Sequence, residues 1–272
     1  MTSASSMLSV ERLGEHRHIA LLTLDRPEAL NAVSTELAEQ ITVTVGQLAA
    51  DPGVSVVVLA SSSSRAFSVG ADLKERAGFT TEQLLAHRDI SRAAYRSVLD
   101  LPMPTVAAVD GYALGGGLEL ALSCDLMVAS PAAVLGLPEV SVGLVPGGGG
   151  TQLLTRRLGW SRAASLVFTA ARISAESAQQ LGLVDRIATT KDVRDDAIAL
   201  AEQIAANSPV ALREAKRAMR NGFGRPIEEA LDIEDQGWRA TATSADREEG
   251  ITAFNEKRVP HWDSLQSSSI DT

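Results

Sequence analysis

The sequence predicts an α/β fold. Short β-rich apolar runs alternate with amphipathic helical stretches up to about residue 150. At least one of these runs, Val54–Ser62, is apolar on both faces, as a strand sandwiched between layers is. Beyond Thr151 the pattern turns mostly helical. Together these features give an α/β core followed by a helical C-terminal region, with the core expected over residues 1–200 and the helical region over 201–272. A composition shift near Gly150 marks a subdomain boundary rather than a hinge, and the sequence contains no internal repeat or low-complexity linker.

The elements follow in order. His18–Leu24 is a short apolar run that reads as a strand. Pro27 interrupts the ladder, and Ser34 is an N-cap. Val33, Leu37, Ile41, Val45 and Leu48 recur at helical spacing, so a helix runs to about Ala50 and ends at "DPG". Val54–Ser62 is the next strand, and "SSRAFSVGAD" reads as a loop. Asp72–Ala77 begins a short helix, Thr81–Leu99 a longer one, and "LPMP" stops it. "TVAAVDGYA" is a buried strand, "GGGLELALSC" a short helix and "DLMVAS" a strand. Helices from "TQLLTRRLG", "SRAASLVFTA" and "SAESAQQLGL" follow, the last with Ser174 as cap and Gly182 as stop. A short strand, "LVDRIA", precedes the remaining helices.

Composition excludes several classes of function. The chain has 272 residues, is 45% hydrophobic and only 4% aromatic, so its core is built mainly from Ala, Val and Leu. A net charge of −9 shows no basic stripe of the kind a nucleic-acid binder carries. A single cysteine, Cys124, rules out an intramolecular disulfide and fits a reducing compartment. The first residues carry no secretory signal, and no stretch approaches a membrane span, so a cytoplasmic protein is expected. The polar end, Ser264–Thr272, reads as frayed. The histidines, His16, His18, His87 and His261, form no metal-ligand spacing, and His16 and His18 are expected at the surface. No metal site is expected. "GYALGGG" is not G-x-G-x-x-G, and "GGGGTQ" lacks the Lys-Ser/Thr pair of a phosphate loop. Ser68 in "AFSVG" approaches a nucleophile elbow, but Ala66 stands in for the first glycine and the only late histidine is His261.

What remains is "SVGAD" beside "GGGLE". Each joins a strand to a helix through small residues. The first N–H groups of a helix are unpaired and carry partial positive charge, so they favour an anionic oxygen. Two such donors converging on one point form an oxyanion hole. Small residues at Gly70, Ala71, Gly115, Gly116 and Gly117 let a carbonyl approach closely, although tight helix-to-sheet packing uses glycine equally well. Glu119 lies about one turn inside the second helix among Leu118, Leu120, Ala121 and Leu122. Partial burial there raises its pKa toward a value suited to proton transfer, whereas a surface glutamate would simply favour the helix dipole. Glu139 follows Pro138 and precedes an apolar run, an odd place for a solvated charge. Two carboxylates near one oxyanion hole point to proton chemistry beside an activated carbonyl.

With these residues in view, the chain resembles the crotonase superfamily, most closely enoyl-CoA hydratase. The resemblance runs from about Leu8 to Trp262 through "LDRPEALNA", "AFSVGADLKE", "AAVDGYALGGGLELALSCD", "LPEVSVGLVPGGGGTQ" and "AQQLGLVDRI" in order. It implies a crotonase (ClpP-like) fold of repeated ββα units around two roughly perpendicular sheets. It also implies a helical C-terminal trimerisation region, hence a homotrimer or dimer of trimers. A thioester carbonyl would be held by the amides of Ala71 and Gly116. The position of Glu139 would shuttle a proton to the α-carbon, and that of Glu119 would orient and activate the water. Substrate contacts are implied at Glu28, Ala29, Leu30, Ser68, Gly70, Asp72, Leu73, Gly115, Pro138 and Gly147. Phe254 and Lys257 match positions that reach a neighbouring subunit's ligand. The partner is an acyl-CoA thioester, with no separate cofactor because CoA arrives within the substrate. Val69 and Leu118 depart from the residues common in the family and leave acyl-chain length open.

The implied reaction is reversible hydration of a trans-2-enoyl-CoA to a 3-hydroxyacyl-CoA. An enoyl-CoA isomerase on the same fold and a non-catalytic acyl-CoA-binding scaffold are the alternatives. The presence of both Glu119 and Glu139 favours hydration.

Overall fold

The structure is a computed structural model that describes residues 6–14 and 17–262. His16 and the stretch Ser264–Thr272 lie outside the described residues. His18 is half-buried rather than at the surface.

Two sheets organise the chain. The larger has six strands in the order β1 (Leu8–Leu13), β2 (Ile19–Leu24), β3 (Val56–Ser61), β5 (Thr105–Val109), β7 (Leu126–Ala129) and β10 (Arg186–Ile187). Only the β1–β2 pair is antiparallel. The smaller sheet orders β4 (Ala66–Ser68), β6 (Tyr112–Leu114), β8 (Val134–Gly136) and β9 (Arg172–Ser174), with β8 and β9 antiparallel.

The apolar run of β3 divides between two cores. Val57 and Leu59 join the main core with Leu37 and Ile41 of α1 (Thr35–Ala50), Phe67 of β4 and Leu118 and Leu120 of α4 (Gly116–Ser123). Val56, Val58 and Ala60 face the other way, onto Ala197, Leu200 and Ala201 of α8 (Val193–Ala205). A strand covered on both faces gains nothing from polar alternation, which is why this one reads as a continuous apolar run. The residue-200 boundary expected from sequence falls inside α8, the helix that covers this second face.

Most helices begin where the sequence signals them. Ser34 caps α1 by accepting from the Leu37 N–H, so Val33 lies outside the helix, as part of a bridge to Ala71. Asp72 caps α2 (Leu73–Arg76), and Thr80 with Gln83 forms a capping box on α3 (Thr81–Leu99). Ser174 and Gly182 bound α7 (Ala175–Leu181) as expected.

Two expectations need correction. "TVAAVDGYA" is not one strand. The chain turns at Gly111 (φ +61°), where a β-carbon would lie 2.3 Å from the Arg65 carbonyl oxygen, and β5 and β6 enter different sheets. The loop "SSRAFSVGAD" contains strand β4, three residues that are too few to show a period.

The helical C-terminal region is fastened to the core by charge. Lys216 of α9 (Pro209–Gly222) is buried; its Nζ donates to the Met103 carbonyl at 2.7 Å and lies 2.6 Å from Asp125. Arg220 reaches the other Asp125 oxygen at 2.8 Å. Burial works to raise the pKa of Asp125, but Lys216 and Arg220 together outweigh it and hold the carboxyl below its usual range. Removing one member of such a set leaves uncompensated charge. Asp125→Ala is expected to lower the unfolding free energy by about 3 kcal/mol, measured by urea titration. A loss under about 1 kcal/mol, the worth of an exposed ion pair, would show that this set does not hold the region in place.

Candidate active site

The site forms where the small sheet meets α4. Gly70 has φ +83°, and a β-carbon on it would stand 2.6 Å from the Gly116 amide nitrogen. The loop after β4 and the start of α4 therefore touch backbone to backbone, with Ala71 next in the chain. The turn is held by the Val33 N–H donating to the Gly70 carbonyl at 2.7 Å and the Asp72 N–H to the Val33 carbonyl at 3.1 Å. Among the described residues, no protein acceptor takes the N–H of Ala71 or of Gly116. Two neighbouring free amides, one beside a helix N-terminus, make a receptor for a carbonyl oxygen that gains negative charge.

The two amides stand differently with respect to their helices. The N–H groups of Lys74 and Glu75 at the start of α2 are taken: the Asp72 side chain accepts from them at 3.0 and 3.1 Å. The free donor on this side comes from Ala71, ahead of the cap.

Glu119 projects from the first turn of α4 and is 3% exposed. One carboxylate oxygen, Oε1, accepts from the amides of both Gly148 and Gly150 at 2.7 Å. A β-carbon at Gly148 would come within 2.8 Å of Oε2, and one at Gly150 within 2.9 Å of Oε1, so side chains there would push the carboxylate out of place. This explains the glycine run 147–150: it wraps backbone donors around a buried acid. Burial raises the Glu119 pKa, and the Gly150 and Gly148 hydrogen bonds and the charge of Arg88 counter it without reversing the direction.

Glu139 opens the 3-10 turn Glu139–Val142 and is partly buried. Its carboxylate stands over Gly115, where a β-carbon would lie 3.1 Å from Oε1. Oε2 is buried with no hydrogen-bond partner among the described residues. Burial above all, with the charge of Glu119 adding, pushes its pKa up to about 7. One acid is thus fully hydrogen-bonded through one oxygen, while the other keeps a free oxygen and titrates near neutrality.

Three residues missed by sequence reading complete the surroundings. Tyr95 of α3 is buried, its ring against Gly148 and its hydroxyl against Gly116. Burial and the Glu119 charge keep it protonated. Arg88, also on α3, donates to the Gly147 carbonyl and so braces the loop that holds Glu119. His87 is buried beside it. No motif marks them, because α3 reaches the site only by packing on α1 and α4.

The other expected contact residues separate into two groups. Glu28, Ala29 and Leu30 form a turn joined to the site loop, with the Val69 N–H donating to the Leu30 carbonyl at 3.2 Å. Leu73 is 60% exposed on α2. Gly70 and Gly115 line the amide pair, and Pro138 and Gly147 flank the two acids. Ser68 and Asp72 are instead occupied structurally. The Ser68 side chain is fully buried, donates to the Asn31 carbonyl at 2.7 Å and accepts from the Gly70 N–H. It has no route to a ligand, which also disposes of a serine nucleophile. Asp72 spends its oxygens on the α2 cap and on Arg26, 2.6 Å away.

The family model for enoyl-CoA hydratase/isomerase matches residues 14–266. The chain belongs to the enoyl-CoA hydratase/isomerase family. It is 35% identical to the short-chain-enoyl-CoA hydratase of Clostridium acetobutylicum, over 88% of this chain and 92% of that one. It is 37% identical to the mitochondrial methylglutaconyl-CoA hydratase of Homo sapiens, over 91% of this chain and 74% of that one. The crystal structure of an enoyl-CoA hydratase from Bacillus anthracis superposes with a TM-score of 0.92 at 38% identity, covering 95% of this chain and all of that one. The two-sheet α/β architecture is therefore the crotonase fold of this family.

A family site that buries a poorly satisfied acid carries a cost that depends on pH. The folded-state pKa of Glu139 is raised from 4.5 to about 7, so its stability contribution is complete below pH 4.5 and is lost as pH rises through 7. Glu139→Gln, a mimic of the protonated form, is expected to melt higher than the parent at pH 8, with the gap closing toward pH 4.5. Calorimetry across that range checks this; melting curves that differ by the same amount at every pH would show that ionised Glu139 is not under strain.

Proposed function

We propose that this family member is an enoyl-CoA hydratase that adds water to a trans-2-enoyl-CoA. The observation that carries this reading is the pair of acids beside the free amides of Ala71 and Gly116. An isomerase can move a double bond with a single carboxylate shuttling one proton; adding water calls for one group to hold the water and another to deliver a proton. The hydratase names of the relatives described above support the same choice.

In the proposed reaction the thioester carbonyl accepts hydrogen bonds from Ala71 and Gly116. Charge gathers on that oxygen as the β-carbon is attacked, and the two amides stabilise it where water is excluded. Glu119, held on Gly148 and Gly150, fixes the water. The water's oxygen bonds to the β-carbon, and Glu139 delivers a proton to the α-carbon. The water supplies both the hydroxyl and, through the carboxylates, the added hydrogen, so no further reactant or separate cofactor is required. The CoA portion lies along Glu28–Leu30 and the α2 loop, entering as part of the substrate.

Assembly is part of this reading. The paired helices α9 and α10 (Ile227–Ala242) expose Met219, Phe223, Ile227, Leu231 and Trp238, and Phe254 is 83% exposed. Apolar surface on this scale favours burial against further copies of the chain, in keeping with a homotrimer or a dimer of trimers.

Loss of crotonyl-CoA absorbance on adding the protein tests the reaction. Glu139→Gln is expected to lower kcat by about 10³-fold, within the range for a general acid–base group, while the thioester dissociation constant changes little. Undiminished turnover in that variant removes the assigned role. Turnover of 3-enoyl but not 2-enoyl substrates establishes the isomerase in its place.

A further inference from the structure

We propose that the Tyr95 hydroxyl is a third hydrogen-bond donor to the thioester oxygen, completing the receptor that the Ala71 and Gly116 amides begin. The inference rests on the hydratase reading for the identity of that oxygen. Tyr95 comes from the second half of α3 and is only 5% exposed. Its ring lies between the buried acid and the amide pair. A β-carbon on Gly148 would stand 2.8 Å from ring atoms Cγ and Cδ2 and 2.8 Å from Glu119 Oε2, so the base of the ring adjoins the carboxylate. At the far end of the ring, a β-carbon on Gly116 would stand 2.2 Å from the hydroxyl oxygen and 3.3 Å from the Gly70 α-carbon. The hydroxyl therefore reaches the seam where the loop after β4 meets α4, the seam that carries both free amides.

Among the described residues, the hydroxyl makes no hydrogen bond, and it does not accept from the Gly116 N–H beside it. Neither acid takes it: Glu119 Oε1 is held by Gly148 and Gly150, and Glu139 stands over Gly115. A hydroxyl withdrawn from bulk water without a partner is costly. One seam thus holds three donors and no acceptor, and a carbonyl oxygen that meets the two amides meets the phenol as well. Burial, with the charge of Glu119 adding, raises the Tyr95 pKa, so the phenol keeps its proton and acts as a donor. It lends a hydrogen bond and gives up no proton; the proton reaching the α-carbon still comes from Glu139. A phenol O–H is a more acidic donor than a peptide N–H, and its bond strengthens as charge gathers on the oxygen. The absence of a side chain at Gly116 is part of the same device, because a methyl group there would displace the hydroxyl.

Tyr95→Phe keeps the ring against Gly148 and removes only the donor. The kcat for crotonyl-CoA hydration is expected to fall by about 10²-fold, the lower end for loss of one oxyanion donor, with KM little changed. The readout that packing alone would not move is the carbonyl stretch of bound butyryl-CoA, which cannot be hydrated, followed by isotope-edited infrared spectroscopy with the thioester carbonyl labelled. Loss of the donor is expected to raise that frequency. Unchanged kcat overturns the proposal, and so does a fall in kcat without movement of the band, which would make Tyr95 a packing residue. If Tyr95→Phe does not fold, the donor is altered in place. The chain holds two tyrosines, so Tyr112→Phe protein expressed with fluorotyrosine carries the change at Tyr95 alone. The more acidic phenol is expected to lower the band further, and an unmoved band overturns the proposal. If the parent does not hydrate crotonyl-CoA, the hydratase reading fails, while the butyryl-CoA band still decides whether Tyr95 meets the thioester oxygen.

Discussion

The site depends on a buried carboxylate held by two backbone amides. Glu119 cannot be solvated where it lies, and the Gly148 and Gly150 N–H groups replace the water it has lost. That arrangement ties the start of α4 to a loop thirty residues further along the chain and requires the loop to be bare of side chains. Gly115–Gly117 and Gly147–Gly150 are thus answers to two parts of one demand. The first lets the small sheet, Tyr95 and α4 meet closely enough to leave an amide free; the second lets backbone close around the acid on that helix.

The two acids sit in different surroundings. Glu119 gains two strong donors through one oxygen, whereas Glu139 keeps a buried oxygen with none and is pushed up to about 7. Burial pushes both carboxyls up, and at Glu119 the Gly150 and Gly148 amides and the charge of Arg88 offset part of the rise. Arg88 moderates the pair from outside, bracing the loop through Gly147 while lowering the Glu119 pKa.

The wider fold explains why the site stays in register. Strand β3 is clamped between α8 on one face and the layer of α1, α4 and the small sheet on the other. The site loops spring from the small sheet on that second side, so they inherit a rigid base. The C-terminal helices are fastened to the same body through Asp125, just past the end of α4, to which α9 supplies Lys216 and Arg220. The apolar face that α9 and α10 present outward is the part of the surface a single copy leaves unsatisfied.

Much of this was legible in the residues alone. Caps at Ser34 and Ser174, the stop at Gly182 and the apolar run of β3 are local signals, and each acts where it stands. The glycine stretches with Glu119 and Glu139 were legible for a similar reason: a bare backbone next to an acid in an apolar setting has few structural uses. Not legible were the strands β1, β8 and β9, the division of "TVAAVDGYA" at Gly111, the strand hidden in "SSRAFSVGAD", the structural employment of Ser68 and Asp72, and the convergence of Arg88 and Tyr95 on the site. Each depends on atoms distant in sequence. Gly111 must turn because Arg65 is there; Ser68 is consumed by Asn31; α3 carries its polar residues to the cleft only once it packs against α1 and α4. The sequence by itself therefore determined the α/β class, most helix limits and the two glutamates of the candidate site. Tertiary structure alone decided which backbone amides stay free, which way each carboxyl is shifted and which side chains brace the two acids, because desolvation and hydrogen-bond partnership are set by neighbours that chain order does not specify.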